Sequence, residues 1–228
     1  MKRSEVNAIM READAYIRSF QFRLPPFAAW TPDEFRARKG EAGEIVRARL
    51  GWDITDFGQG RYDDYGLFLF TLRNGNPDDL PRGKGMLYAE KLLICKPHQM
   101  NPMHRHNIKA EDIIVRGGSP CIFELFMSDA DGMIDPKAEV VVPSDGVIRR
   151  LPPGGRMTLS PGESVTLMPG VWHRFWTEEG DVLLGEVSTV NDDLTDNVFA
   201  EPVGRFSDIE EDEPPLRLLV SDYDRFLA

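Results

Sequence analysis

Three histidines and a glutamate are spaced so that they could bind one metal ion. His104 and His106 stand two residues apart, and alternate side chains of a strand point to the same face. Glu111 follows across a short turn, and His173 lies downstream behind a proline–glycine turn. Three imidazoles and a carboxylate suit Mn, Fe, Ni, Co or Zn, and they leave two positions of an octahedral ion open for a chelating substrate.

Two charged residues are candidates for moving protons beside such an ion. Lys109 lies between His106 and Glu111, so its ammonium could hydrogen-bond a substrate oxygen or lose its proton near the metal. The alternative is a turn lysine that points to water. Glu186 lies in the otherwise apolar run 182–187, where a carboxylate is costly unless it is paired or metal-bound. We predict an acid/base role for Glu186, against the alternative of a solvent-facing strand position.

Four further residues are candidates for contacts with a polyol. Carboxylates and guanidinium groups are common partners of hydroxyls, which nominates Asp193 and Arg217. Trp30 and Phe175 could stack on a sugar ring. The competing interpretations are a loop carboxylate, a surface arginine and two core aromatics.

The elements that must position these residues begin as helices. Apolar residues recur at three- or four-residue spacing over 6–20, which predicts a helix with Ser4 as its N-cap. The run Thr31–Glu34 combines a cap residue, a first-turn proline and a glutamate, and so predicts a second helix that ends near Gly40. A third short helix is predicted over 44–50.

From Gly66 onward the pattern becomes that of short strands with Gly/Pro turns and no helices between them, which indicates an antiparallel sandwich or barrel. The predicted strands are 66–72, 86–96, 112–116, 120–127, 138–142, 147–151, 164–168, 172–177 and 182–190. We expect a single domain over 1–228. It would comprise a helical extension over 1–60, a metal-binding barrel over 66–190, and a segment over 191–228 that packs on the barrel. The acidic stretch 207–215 is expected to be a solvated loop.

Composition restricts the classes of partner that the protein can bind and the cellular compartment in which we expect it. The 228 residues are 41% hydrophobic, which excludes global disorder, and the net charge of −11 makes nucleic acid and membranes poor partners. Cys95 and Cys121 lie in apolar runs and are interpreted as buried thiols of a reducing compartment. Without a signal-like segment or a long apolar stretch, we expect a cytoplasmic protein. His98 lies outside the ligand pattern and is interpreted as a loop histidine.

The ligand pattern resembles the cupin family. Its first motif is matched by His104, His106, Glu111 and a glycine at 117 or 118, and its second by Gly162, Pro169, Gly170 and His173. The proline-x-glycine of the second motif is contracted here, and Thr177 stands where an asparagine is frequent. No departure removes a ligand. The resemblance implies a mainly β, cupin-type antiparallel barrel of jelly-roll-like form.

The whole chain resembles the D-lyxose isomerase family. The resemblance rests on the length, the helical extension and the segments 102–112 and 185–193. It implies an aldose–ketose isomerase that interconverts D-lyxose and D-xylulose, and also D-mannose and D-fructose, through an enediol. It further implies Mn²⁺ as the cofactor, with Co, Ni, Fe or Zn as alternatives, a free monosaccharide as the partner, and a homodimer.

Other metalloenzymes on the same scaffold remain open at this stage. A phosphosugar isomerase would need cationic groups that converge on a phosphate, and Arg150, Arg156, Arg174 and Arg205 are available. A dioxygenase with three histidines and one glutamate would use the same ligands but would favour an apolar lining. A sugar sensor would need a DNA-binding module, for which the acidic chain has no basic patch.

Overall fold

A computed structural model describes residues 1–227, and strands dominate it. The α-helices are α1 (Arg3–Ser19), α2 (Pro32–Ala37), α3 (Gly43–Arg47) and α4 (Tyr223–Phe226), with 3-10 turns at Pro26–Ala29, Pro77–Arg82 and Val220–Asp222. The strands are β1 (Gly51–Thr55), β2 (Leu67–Asn74), β3 (Tyr88–Cys95), β4 (His104–His106), β5 (Glu111–Gly118), β6 (Cys121–Ser128), β7 (Ile134–Asp135), β8 (Val140–Ser144), β9 (Val147–Leu151), β10 (Gly155–Leu159), β11 (Ser164–Leu167), β12 (Trp172–Trp176), β13 (Val182–Thr189) and β14 (Asn197–Phe199).

The strands form two antiparallel sheets and a separate hairpin. The first sheet has the order β1-β2-β3-β13-β5-β11, and the second has the order β10-β6-β12-β4-β14, with β7 added beside β6. Strands β8 and β9 pair only with each other. The predicted mainly β, antiparallel architecture is confirmed.

One apolar core lies between the two sheets. Leu69, Leu93 and Ile113 of the first sheet are buried in the same cluster as Phe123 and Phe175 of the second. The metal-ligand candidates lie on strands that border this interior, so the packing of the two sheets fixes their surroundings.

The opposite face of the first sheet is also buried, because α1 covers it. Phe68, Phe70 and Leu92 point to this side and cluster with Val6 and Ile17 of the helix. A strand buried on both faces is apolar at consecutive positions and does not alternate. That explains the continuous apolar run of β2.

The start of α1 is held by the acidic stretch 207–215. Arg3 is fully buried, and its guanidinium donates to both oxygens of Glu211 (2.9 and 2.8 Å) and of Asp222 (2.9 and 2.8 Å). The expectation that 207–215 is a merely solvated loop was therefore wrong. The same contacts explain the N-cap: the cap is Lys2 and α1 begins two residues earlier than predicted, because the hydroxyl of Ser4 donates to Asp212 (2.6 Å) instead of capping.

The predicted start of α2 is confirmed. The Glu34 N–H donates to Thr31 Oγ1 (3.2 Å), and the Glu34 carboxylate accepts from the Thr31 N–H (2.8 Å), which is a capping box. The helix ends at Ala37, earlier than predicted.

Several strands were not predicted from the sequence. Strand β1 lies inside the range assigned to the helical extension, and all five of its residues are buried. It therefore lacks the alternation that marks a half-buried strand. Strands β7, β10 and β14 were also missed. The division into extension, barrel and C-terminal segment stays a prediction.

The C-terminal segment packs where the first sheet meets the short helices. Leu218, Val220 and Tyr223 are buried with Phe35 and Ala42. No helix among residues 1–227 is long and apolar enough to cross a membrane. The predicted buried thiols are confirmed, since both cysteines are buried and unpaired.

We predict that Arg3→Met lowers the free energy of unfolding by about 3 kcal/mol, because it leaves the buried carboxylate of Asp222 without its cation, whereas Glu211 keeps Arg225. Urea unfolding would measure the change. Arg18→Met is the matched control: Arg18 lies on the same helix, is 54% exposed and pairs with Asp14 (2.8 Å). It should change stability by about 0.5 kcal/mol or less. Equal losses in both variants would contradict the role of the buried ion pair.

Candidate metal centre

Three of the four histidines converge, as predicted. Strands β4 and β12 are neighbours in the second sheet, and His104 lies directly opposite His173. His106 follows two positions later and is buried. One ligand atom from each of the three lies within 4.8 Å of the other two. His98 lies in an exposed loop outside this group.

Backbone carbonyls orient two of the imidazoles. His104 Nδ1 lies 2.9 Å from the carbonyl oxygen of Pro102, and His173 Nδ1 lies 3.0 Å from that of Val171. Because a carbonyl only accepts, each Nδ1 must carry the proton. The lone pair of each ring is then on Nε2, which is the tautomer that binds a metal through Nε2.

Glu111 is the fourth candidate ligand. It is the first residue of β5 and is buried, and its Oε1 lies 3.1 Å from His173 Nε2 and 3.4 Å from His106 Nε2. Those three atoms are buried without a hydrogen-bond partner among the described residues. Buried polar atoms are rarely left unpartnered, and these are all electron-pair donors. The residues present therefore fit a divalent metal ion.

Burial and neighbouring charges keep the ligands in their metal-binding forms. Burial, reinforced by His173 and His106, holds the pKa of His104 well below its usual value. Burial and the Lys109 ammonium also lower the pKa of His106. Burial alone would raise the pKa of Glu111, but Lys109 and His106 outweigh it and hold that pKa well below its usual value. Neutral imidazoles and an ionised carboxylate are what a divalent ion requires.

Lys109 points into the site and not to water. Its Nζ is buried and lies 2.7 Å from Glu111 Oε2 and 2.9 Å from Glu186 Oε1. Burial alone would lower the pKa of Lys109, but the two carboxylates outweigh it and raise the pKa above its usual value. The two carboxylates therefore favour the ammonium form of Lys109. The alternative of a solvent-facing turn lysine was wrong.

Asp196 fixes the turn that carries Lys109. Its carboxylate accepts hydrogen bonds from the backbone N–H groups of Asn107 (3.0 Å), Ile108 (2.8 Å) and Lys109 (2.9 Å). Three donors on one carboxylate hold a short turn in a single conformation. No local pattern in the sequence indicated this role.

Glu186 faces the interior, as its predicted role requires. It is 3% exposed and lies in the middle of β13, directly opposite Lys91 of β3. Its Oε1 accepts from Lys109 and lies 3.6 Å from Lys91 Nζ. The alternative of a solvent-facing glutamate was wrong.

The line of charges continues beyond Glu186. Lys91 Nζ donates to Asn191 Oδ1 (2.8 Å) and lies 3.6 Å from Asp193. Arg205 Nη2 lies 3.3 Å from Asp193 and donates to Asp53 (2.6 Å). Lys91 was not among the predicted site residues, although a charge inside an apolar strand was the signal that pointed to Glu186.

Two of the four predicted polyol contacts line the same cavity. Asp193 and Phe175 do so, together with the histidines, Lys109 and Glu186. Despite burial, Arg205 and Lys91 lower the pKa of Asp193, which keeps it ionised. Trp30 packs on Phe35 instead, and Arg217 lies beside a different cavity under α1. The geometry of this chain gives those two residues no part in the site.

The lining does not favour the alternative metalloenzymes. Arg150, Arg156 and Arg174 pair with glutamates elsewhere, and of the four arginines considered for a phosphate only Arg205 lines the cavity. Charged side chains stand beside the ligands, whereas a dioxygenase would favour an apolar lining.

Solved structures of similar fold include L-ribose isomerases. The L-ribose isomerase of Acinetobacter sp. DL28, in complex with L-ribose, matches with a TM-score of 0.61 at 16% identity, covering 92% of this chain and 98% of that one. The L-ribose isomerase of Cellulomonas parahominis with L-psicose gives 0.58 at 15% identity over the same shares. At this identity the likeness concerns the fold, and it confirms the cupin-type architecture.

Relatives of known name align over the full length. A D-lyxose/D-mannose isomerase of Serratia proteamaculans is 47% identical over 232 residues, covering 100% of both chains. A D-lyxose/D-mannose isomerase of Escherichia coli O157:H7 is 42% identical over 229 residues, covering 99% of this chain and 100% of the relative. The family model for D-lyxose isomerase matches residues 1–223. The chain therefore belongs to the D-lyxose isomerase family.

Proposed function

We propose that this protein is a metal-dependent aldose–ketose isomerase that interconverts D-lyxose and D-xylulose, and also D-mannose and D-fructose. Membership of the family supports the reaction and the substrates. One structural observation carries the proposal: the ion pair of Lys109 and Glu186 lies in the same buried cavity as the three histidines and Glu111.

The reaction needs a base and a means of stabilising negative charge. A proton leaves C2 of the aldose and returns to C1 through an enediol, while the hydroxyl proton on O2 moves to O1. Because C2 is a weak carbon acid, the negative charge that develops must be stabilised. A divalent ion held by His104, His106, Glu111 and His173 would polarise the sugar carbonyl and stabilise charge that develops on its oxygen. The rest of the chemistry falls to the side chains of the chain.

Glu186 is the base in this proposal. Its carboxylate takes the proton from C2 and delivers it to C1. The Lys109 ammonium holds the carboxylate through a hydrogen bond of 2.9 Å and a second contact anchors Lys109 on Glu111. An ammonium has three donors, so the third remains for a sugar oxygen. Burial of both side chains keeps bulk water from the reacting carbons.

The proposal extends to the metal ion, the oligomeric state and the cellular location. We propose Mn²⁺ as the ion, since three imidazoles and a carboxylate suit it among other divalent metals. We propose a homodimer, which the family resemblance implies. We propose a cytoplasmic location, which the two buried, unpaired thiols support.

The activity is tested by stripping the protein with a chelator and restoring Mn²⁺. Ketose formation should be absent from the stripped protein and should return with the ion, with D-lyxose the fastest of a panel of free aldoses that includes D-mannose. Colorimetric ketose determination measures it. Failure to turn over any free sugar while Mn²⁺ is bound would overturn the proposed function.

The ligand set is tested by His173→Ala. Because it removes one of four ligands, we expect the affinity for Mn²⁺ to fall by at least about 10-fold, with loss of ketose formation. Elemental analysis of the metal and the thermal shift on adding Mn²⁺ are the measurements. His98→Ala replaces an exposed loop histidine and should retain both properties. Full metal content in His173→Ala would remove it from the ligand set.

The role of the base is tested by Glu186→Gln. The amide keeps the shape of the side chain but cannot accept the C2 proton, so kcat should fall by about 100- to 10,000-fold. The Mn²⁺ content should be unchanged, because Glu186 is not a ligand. Glu90→Gln, on the neighbouring strand β3 and paired with Arg73, is the control and should keep its kcat. An unchanged kcat in Glu186→Gln would assign the base to another residue.

A further inference from the structure

Buried polar atoms without a partner are concentrated at this cavity. Among the described residues, seven side-chain atoms are buried without a hydrogen bond, and six of them belong to residues that line it. Four of the six are on His106, Glu111 and His173. The other two are Arg205 Nη1 and Asn101 Nδ2. Both nitrogens can only donate hydrogen bonds, so a metal cation cannot be their partner.

The orientation of Asn101 is fixed by the backbone. Asn101 is 3% exposed, and its Oδ1 accepts from the N–H of Phe175 (2.9 Å). Because a backbone N–H only donates, the atom that faces it must be the oxygen of the amide. The NH₂ group is therefore the part that lacks a partner.

Arg205 is held by one of its two terminal nitrogens. Nη2 donates to Asp53 (2.6 Å) and lies 3.3 Å from Asp193. The guanidinium is rigid and planar, so these contacts fix the direction of Nη1 as well. A buried guanidinium N–H without an acceptor is costly, and the cost is removed by a ligand oxygen.

We propose that Arg205 and Asn101 donate hydrogen bonds to the hydroxyl oxygens of the sugar carbons that do not react, and that they thereby set the preference among aldoses. The inference rests on the proposed function. A free sugar offers a hydroxyl at C3, C4 and C5, each of which can accept. A cavity that leaves buried donors unpaired discriminates strongly against a sugar that lacks the matching hydroxyl.

The experiment compares D-lyxose with its 3-deoxy, 4-deoxy and 5-deoxy analogues. In the unaltered protein, removal of at least one hydroxyl should lower kcat/KM by about 10- to 100-fold. Arg205→Lys keeps a cation for Asp53 and Asp193 but lacks Nη1. Asn101→Asp keeps the acceptor for the Phe175 N–H but lacks the NH₂ group.

Each variant should lose about 10-fold or more in kcat/KM on D-lyxose. In each variant, removal of the sugar hydroxyl that the substituted side chain would contact should lower kcat/KM by no more than about 2-fold further. The substitution and the loss of the hydroxyl delete the same hydrogen bond, so their effects should not add. A role only in folding would lower activity equally on all four sugars. Calorimetric titration with D-arabinitol, the reduced form of D-lyxose, should show weaker binding to both variants at equal metal content and equal melting temperature.

Arg150→Lys is the matched control, because Arg150 pairs with Glu139 at the surface and is 63% exposed. It should behave as the unaltered protein. The proposal is overturned if the unaltered protein turns over all three deoxy analogues with the kcat/KM of D-lyxose. It is also overturned if both variants lose as much kcat/KM on each deoxy analogue as the unaltered protein does. The first of these outcomes is measured on the unaltered protein alone and so does not depend on the folding of a variant. Absence of any turnover of D-lyxose by the metal-loaded protein would instead refute the proposed isomerase.

Discussion

The site depends on one carboxylate, Glu111, that serves two partners. One oxygen faces the Nε2 atoms of His106 and His173, and the other holds the Lys109 ammonium at 2.7 Å. The same glutamate therefore fixes the distance between the candidate metal ligands and the Lys109 ammonium. Charges so deeply buried are tolerated only when each has a partner. Beyond Lys109, the next partner is Glu186, so the candidate ligands and the proposed base belong to one electrostatic unit.

The first sheet supplies most of the precision of this unit. Strands β3, β13 and β5 are neighbours, so Lys91, Glu186 and Ile113 stand in register across two ladders. Backbone hydrogen bonds of the sheet therefore set the spacing of Lys91 and Glu186, whereas Asp196 holds the turn of Lys109. The sheet is itself immobilised by cores on both of its faces. Sites built on such elements hold their geometry better than sites on loops.

The sequence predicted what depends on local spacing. The convergence of the histidines and the inward position of Glu186 were predictable because strand alternation and an unexpected charge in an apolar run are local signals. Lys91 carried the same signal, whereas Arg205 and Asn101 did not: their roles arise from Asp53 and from the Phe175 N–H, both distant in sequence. The acidic stretch was likewise misinterpreted, since its partner Arg3 lies 208 residues away. Strand β1 was missed because burial on all sides removes alternation.

The formal charges at the cavity explain how it can attract a divalent cation and then stabilise negative charge on a sugar oxygen. Three carboxylates and three cations alternate along its lining, in the order Glu111, Lys109, Glu186, Lys91, Asp193 and Arg205. Asp53 is not a lining residue, but it pairs with Arg205 and adds a fourth carboxylate. With neutral imidazoles these seven groups sum to one negative charge, which favours uptake of a divalent ion. The loaded site then carries one net positive charge, in surroundings of low dielectric constant that strengthen it. Negative charge on a sugar oxygen is stabilised there by fixed groups that need not reorganise, which is how a weak carbon acid can be ionised near neutral pH.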